Sequence, residues 1–436
     1  MNQNTEKCGS MNQNTEKRPK GNKQTVNRRG FIKTSSTVAA ISSVGLAGCL
    51  GDDDGDEIVL GDLSPRTGAM SIYGNPMSKA AELAVQEIND DGGLLGRDVV
   101  IEAPDPQSDP QVSQDVVSRL ILEENVDALF GMVSSANRES ILPIVTENRQ
   151  LYFYPALYEG GVCNEYTFIT GPIPNQNVMP LVDYMVDEFG PDCYVLAADY
   201  EFGQISAEWV QRGLDEYGGN MVGEDFFPLD VSDFSSTLNN IQQEDPDWIY
   251  SLLVGGPHAS FFGQAESAGL DYPMGSSVQV GSSYEHRTLE PPQLSNLHAS
   301  FDYFEELETE QNQAFVDRFY DQHPDTEYIN PQAYGQYIAY KLYANAVEEA
   351  GTVEQSEVGE ALESGISIDG PAGNWEMDPA THHLINSAHI ARVEDDHSLE
   401  FIDTIDNREP GGFNGECNLD TESTWDDPIT TNILPE

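Results

Sequence analysis

The chain of 436 residues carries 75 Asp and Glu against 20 Lys and Arg, a formal net charge of −55, with 39% hydrophobic residues. A surface that acidic repels nucleic acid and excludes polyanion binding as a role. The acids are spread along the whole chain. That is the pattern of a protein kept soluble in molar salt, where charge repulsion is screened within about 3 Å.

Residues 1–48 invert this balance, with Lys and Arg outnumbering acids. NRRGFIK (27–33) places Arg28 and Arg29 in a twin-arginine arrangement, with Asn27 where Ser or Thr is usual. TSSTVAAISSVGLAG (34–48) is small, uncharged and too short to span a bilayer. Residues 1–48 are therefore expected to be a twin-arginine lipoprotein signal peptide, which routes the chain out of the cytoplasm. LAGC (46–49) resembles a lipobox, which would make Cys49 the lipidated first residue of the mature chain, and 49–56 an acidic tether. One acyl chain holds a membrane only marginally, so a second is expected. MNQNTEK occurs at 1–7 and again at 11–17, and translation from Met11 would lose nothing of the signal. Beyond Cys8 and Cys49 the cysteines are Cys163, Cys193 and Cys417. An exported chain can pair two of them, and their spacing does not choose which.

From residue 57 strands and helices alternate. EIVLGDL (57–63) reads as a strand, 78–93 as a helix stopped by glycine, and 98–105 as a strand. The segment 110–125 has one apolar helical face at 112, 116, 117, 120 and 121. A strand follows at 126–132, a helix at 138–150 and an aromatic strand at 151–157. The rhythm then restarts, with strands at 167–171, 193–199, 221–229, 248–255, 276–282 and 297–304. Helices are expected at 178–190, 206–219, 232–245, 260–270, 311–324 and 331–351. Such βαβα alternation predicts an α/β fold of parallel sheets covered by helices on both faces. The length exceeds what one core serves, so two lobes are expected.

Ligands of open parallel sheets bind beyond the carboxyl ends of the strands. The segments there are SPRTG (64–68), VSSAN (133–137), YEG (158–160), DYEFG (199–203), GGPH (255–258) and SSYEH (282–286). They offer hydroxyls, aromatics, glycines and a few carboxylates, with no phosphate loop and no cluster of bases. No GxSxG is present, and no strand-end loop sets a Cys beside a His. An enzyme acting through an activated nucleophile is therefore not expected. No CxxC or His cluster points to a metal, and no cofactor is expected.

The stretches LFGMVSSANRESILPIV (129–145), YPALYEG (154–160), TGPIPNQNVMPLVDYM (170–185), ADYEFGQ (198–204), PLDVSDFSS (228–236) and IDGPAGNWEMDPATHH (368–383) resemble the type I extracytoplasmic solute-binding proteins of ABC transporters. Within that leucine/isoleucine/valine-binding-like superfamily they are most similar to the urea- and short-chain-amide-binding branch. The resemblance implies two Rossmann-like lobes joined by three crossovers. It places lobe 1 at 57–172 plus 302–368, lobe 2 at 173–301 plus 369–410, and a C-terminal tail at 411–436. It implies a monomeric lipoprotein that closes on a small neutral solute and hands it to an ABC permease. A branched-chain amino-acid binder and a membrane-tethered amide sensor are the alternatives.

By the same resemblance Ser135, with Ser134 beside it, offers a hydroxyl and a helix-start amide to the ligand. Tyr154 and Tyr158 form an aromatic wall, Tyr200 and Phe202 an aromatic pair from the second lobe, and Gly255, Ser283 and Glu285 the remaining edge. Ala156, Val133 and Phe202 depart from residues found in some amide sensors. An amide or urea presents a carbonyl and NH₂ groups, and each needs a partner once buried. Ser135, Tyr158, Tyr200 and an acid, Glu285 before Glu159, supply such a set. Glu159 is expected chiefly to tie down its own loop, His382 and His383 to lie on the surface, and Tyr334, Tyr337, Tyr340 and Tyr343 to form a packing stripe.

Overall fold

The computed structural model describes residues 57–412, 417–422, 425 and 429–432. Arg28, Arg29, Cys49 and the acidic tether lie outside the described residues. The first run of elements is β1 (Glu57–Leu63), α1 (Ser71–Asp90), β2 (Asp98–Glu102), α2 (Pro110–Leu122), β3 (Ala128–Gly131), α3 (Ser135–Asn148), β4 (Tyr152–Tyr154), β5 (Val162–Asn164) and β6 (Thr167–Ile169). The second is α4 (Pro174–Phe189), β7 (Asp192–Ala198), α5 (Glu201–Tyr217), β8 (Asn220–Phe227), α6 (Ser235–Glu244), β9 (Trp248–Leu252), α7 (Pro257–Ala268), β10 (Met274–Ser276), α8 (Glu285–Thr288) and β11 (Leu297–Phe301). The third is α9 (Glu310–Gln322), α10 (Pro331–Ala350), α11 (Gln355–Glu363), β12 (Ser367–Gly370), β13 (Gly373–Asp378), β14 (His383–Val393), β15 (Leu399–Arg408), α12 (Leu419–Glu422) and β16 (Thr430–Asn432).

The strands order as β2-β1-β3-β4-β6, then β14, then β11-β10-β9-β7-β8. Each outer group is parallel, and each repeats one doubly wound order in which its second strand in sequence lies at the edge. The long β14 joins the groups. Its start pairs parallel with β6 through His383 and Ile169, and its end pairs antiparallel with β11. The chain also passes between the groups after β6 and after β11, so three connections join two α/β halves.

Local chemistry sets the helix starts. Asp109 caps α2 by accepting from the Gln111 and Val112 amides. Ser134 caps α3 and Asn330 caps α10, with Pro331 as its first helical residue. Tyr334, Tyr337, Tyr340 and Tyr343 are buried as the expected stripe, with Tyr340 stacked on Phe130 at 4.0 Å and Tyr334 on Tyr303 at 4.2 Å.

Several expectations are corrected. The helix expected from 78 begins at Ser71 and carries Pro76 within its first turns. The strand expected over 276–282 stops at Ser276, because the Ser276 hydroxyl accepts from the Val278 and Gln279 amides and curls the chain into a turn. An antiparallel block, β12 to β15, follows the parallel halves. His382 and His383 are fully buried, not superficial: His382 stacks on Phe168, and His383 bonds the Tyr158 hydroxyl at 2.6 Å. Cys163 and Cys417 form a disulfide, Cys193 is a buried thiol, and β16 pairs with β5 beside the disulfide.

Candidate functional site

A cavity opens where the carboxyl ends of the two parallel groups face each other. From the first half come Met70 and Tyr73 after β1, Val133, Ser134 and Ser135 after β3, Leu157 after β4, and Gln332 at the start of α10. From the second come Tyr200 and Phe202 after β7, Val254 after β9, and Val278 and Ser282 after β10. In both halves the strands after which strand order reverses, β1 with β3 and β7 with β9, flank the cavity, as the switch-point rule requires. Its volume is about 50 Å³, and none of its lining residues is charged.

Of the residues expected at the site, Ser134, Ser135, Tyr200 and Phe202 line this cavity. Ser134 Oγ accepts from the Asn137 amide at 3.3 Å, and the first turn of α3 brings its unpaired amides and dipole to the cavity. Ser135 differs in polarity from the expectation. Its hydroxyl donates to Glu159 Oε2 at 2.6 Å, so the lone pairs of Oγ, not its proton, remain for a ligand. Burial raises the Tyr200 pKa, and its ring lies 6.0 Å from that of Phe202.

Tyr154, Tyr158, Gly255, Ser283 and Glu285 do not line the cavity. Tyr154 and Tyr158 stand behind it, with the Arg138 guanidinium 4.9 Å and 4.3 Å from their ring centres. Arg138 is buried and pairs with Glu159 at 3.3 Å and Glu139 at 2.8 Å. Burial works against its charge, and these carboxylates and tyrosines outweigh that, leaving its pKa raised. The Glu159 carbonyl accepts from the Trp209 indole of α5 at 3.1 Å, so the loop after β4 also ties one half to the other. Glu159 is therefore the loop anchor. The turn that follows it is made by Gly160 and Gly161, with φ of 91° and 95°, a conformation that a side chain would strain.

Gly255 is exposed at φ 72° while its neighbour Val254 meets the cavity. Ser283 donates to Glu285 at 2.6 Å, and Glu285 also accepts from the Val280 amide at 2.7 Å and contacts His258. Burial would raise the Glu285 pKa, but His258, Ser283 and the Val280 amide hold it below the usual range. Three donors from its own surroundings thus hold the acid. Ser283, Glu285 and His258 do not form a serine–histidine pair, because the two His258 nitrogens meet Glu285 and the Leu253 carbonyl rather than the serine.

Sequence reading missed Tyr73, Ser282 and Gln332. Tyr73 was hidden by the late start assigned to α1. Ser282 lay one position from the chosen serine, and only the turn after Ser276 decides which of the pair faces inward. Gln332 lies far from Ser135 along the chain and carries no local signal.

The fold agrees with known proteins. A model of the family "Periplasmic binding protein" matches residues 57–398. The chain belongs to the periplasmic binding protein family. Among curated relatives, "Leu/Ile/Val-binding protein homolog 7" of Brucella abortus is 25% identical over 244 residues, 52% of this chain and 59% of that protein. The match thus spans little more than half the length of that curated relative. A solute-binding protein of an ABC transporter from Rhodopseudomonas palustris, in complex with 3,4-dihydroxybenzoic acid, superposes with a TM-score of 0.74 at 18% identity, covering 82% of this chain and 99% of that one. A branched-chain amino acid transporter substrate-binding protein from Streptococcus pneumoniae, in complex with isoleucine, gives 0.69 at 20% identity, covering 79% and 99%. This is a family of binding proteins, not of enzymes.

Proposed function

We propose that this periplasmic binding protein captures a small neutral solute, urea or a short-chain amide, and delivers it to an ABC permease. The observation that carries the ligand class is the uncharged, small cavity. A benzoate or a zwitterionic amino acid brings full charge, and burying a charge without a charged or densely donating partner is costly. Hydroxyls, helix-start amides and a glutamine suit a carbonyl and NH₂ groups instead.

Branched-chain amino acids form the second reading. The relatives' names favour it, and the amino end of α3 is suited to a carboxylate. Against it, Glu285 does not line the cavity, which leaves an ammonium group there without a counter-charge.

The proposal places the protein outside the cytoplasm, exported by the twin-arginine route, anchored through Cys49 and working in molar salt. The basic, twin-arginine start of the chain and the acidic surface support that placement. Calorimetric titration in molar KCl with urea, acetamide, formamide and leucine tests the ligand. Saturable heat with urea or an amide, lost in Tyr200→Ala, is expected; leucine binding alone overturns the ligand class.

A further inference from the structure

Gln332 is the second residue of α10, held by the Asn330 cap whose Oδ1 accepts from the Ala333 amide at 2.8 Å. The helix start fixes its backbone, and its side chain reaches the cavity between the halves. Its Nε2 donates to Ser282 Oγ at 2.6 Å, a bond from α10 to the loop after β10. Its Oε1 is buried and has no partner, although the residue is only 3% exposed. A buried amide oxygen left unpaired is expensive, so a site built this way favours whatever brings a donor to it.

The neighbouring groups give the cavity a definite polarity. Ser135 has committed its proton to Glu159 and presents lone pairs. Ser282 Oγ accepts from Gln332, which leaves its own proton to donate. Two acceptors, Ser135 Oγ and Gln332 Oε1, therefore come from the first half of the molecule. Donors come from Ser282 and from the first turn of α3.

We infer that Gln332 is a specificity residue whose Oε1 accepts an N–H of the ligand, so that the site selects solutes carrying NH₂ over isosteres that lack it. This rests on the small-neutral-solute reading above and adds to it the group that reads the nitrogen. Ser282 holds the glutamine amide in the required orientation and serves as its positioning partner.

Acetamide and acetone provide the test, since they match in shape and carbonyl and differ in the NH₂. Both are titrated calorimetrically in molar KCl into the mature protein and Gln332→Leu. The wild type is expected to prefer acetamide by about 100-fold, and Gln332→Leu to lose about 10-fold in acetamide affinity with acetone unchanged. Should the leucine variant fail to fold, Gln332→Met replaces it. An acetamide-to-acetone ratio unchanged in Gln332→Leu overturns the inference and leaves the ligand class standing. Equal loss of acetamide and acetone in Gln332→Leu also overturns it, since the glutamine would then be a donor to the carbonyl the two share. If amides and urea are silent and leucine binds, the ligand class falls. An approximately 10-fold loss of leucine affinity in Gln332→Leu would then still uphold the acceptor role, and an unchanged affinity would overturn it. Silence with every ligand overturns both.

Discussion

Replacing Glu159 by Gln removes one charge from a buried pair and leaves its shape. Glu159 and Arg138 side chains are each 2% exposed, 3.3 Å apart. Breaking such a pair from one side typically costs about 3–5 kcal/mol, because the remaining ion stays buried. Here Arg138 keeps Glu139 at 2.8 Å and the faces of Tyr154 and Tyr158, so the lower end, about 3 kcal/mol, is expected. The glutamine oxygen can still accept from Ser135, which separates the charge from the hydrogen bond. The assay is thermal unfolding at 1 M and 3 M KCl, since urea as denaturant would compete as a ligand. At roughly 2 °C per kcal/mol for a domain of this size the midpoint falls by about 6 °C. A buried pair is screened little, so the fall is equal at both salts. The surface triad of Arg392 with Glu394 and Glu400, whose side chains are 38%, 40% and 55% exposed, is the contrast. Arg392→Gln costs less than about 1 kcal/mol. A fall under about 2 °C in Glu159→Gln, or one that shrinks with salt as a surface pair does, refutes the reasoning.

Burial lowers the His383 pKa to about 3 and those of His298 and His389 to about 4. The unfolded chain binds protons on these residues first, near pH 6.5. Stability is therefore full above that value and is lost as pH falls toward 3, and the slope of midpoint against pH flattens in His389→Gln. Native protein digested without reduction yields a peptide linking Cys163 to Cys417, and Cys193 is not alkylated until the protein unfolds. Cys417→Ser costs about 2–5 kcal/mol by freeing the chain beyond β15, measured by thermal unfolding of the oxidised and variant forms. Lowering KCl from 3 M to 0.1 M lowers the midpoint of the wild type, because a net charge of −55 is then unscreened; an unchanged midpoint refutes the salt-adapted reading of the acidic surface.

The sequence by itself determined the alternation of strands and helices, because periodicity and caps are local. The helices expected from 110 and 331 start there, at Pro110 and Pro331, each behind a capping side chain, while the one expected from 138 starts earlier, at Ser135. It also put Ser134, Ser135, Tyr200 and Phe202 at strand ends, where a parallel sheet must receive its ligand. Tertiary structure alone decided what those residues face. Ser135 turned from donor to acceptor because Glu159, 24 residues on, takes its proton. Glu285 dropped out because His258, Ser283 and the Val280 amide already satisfy it. Gln332 entered because α10 returns across the cavity to Ser282, 50 residues earlier in the chain. Hydrogen-bond partners of buried groups are set by which distant segments pack together, and neither composition nor spacing carries that information.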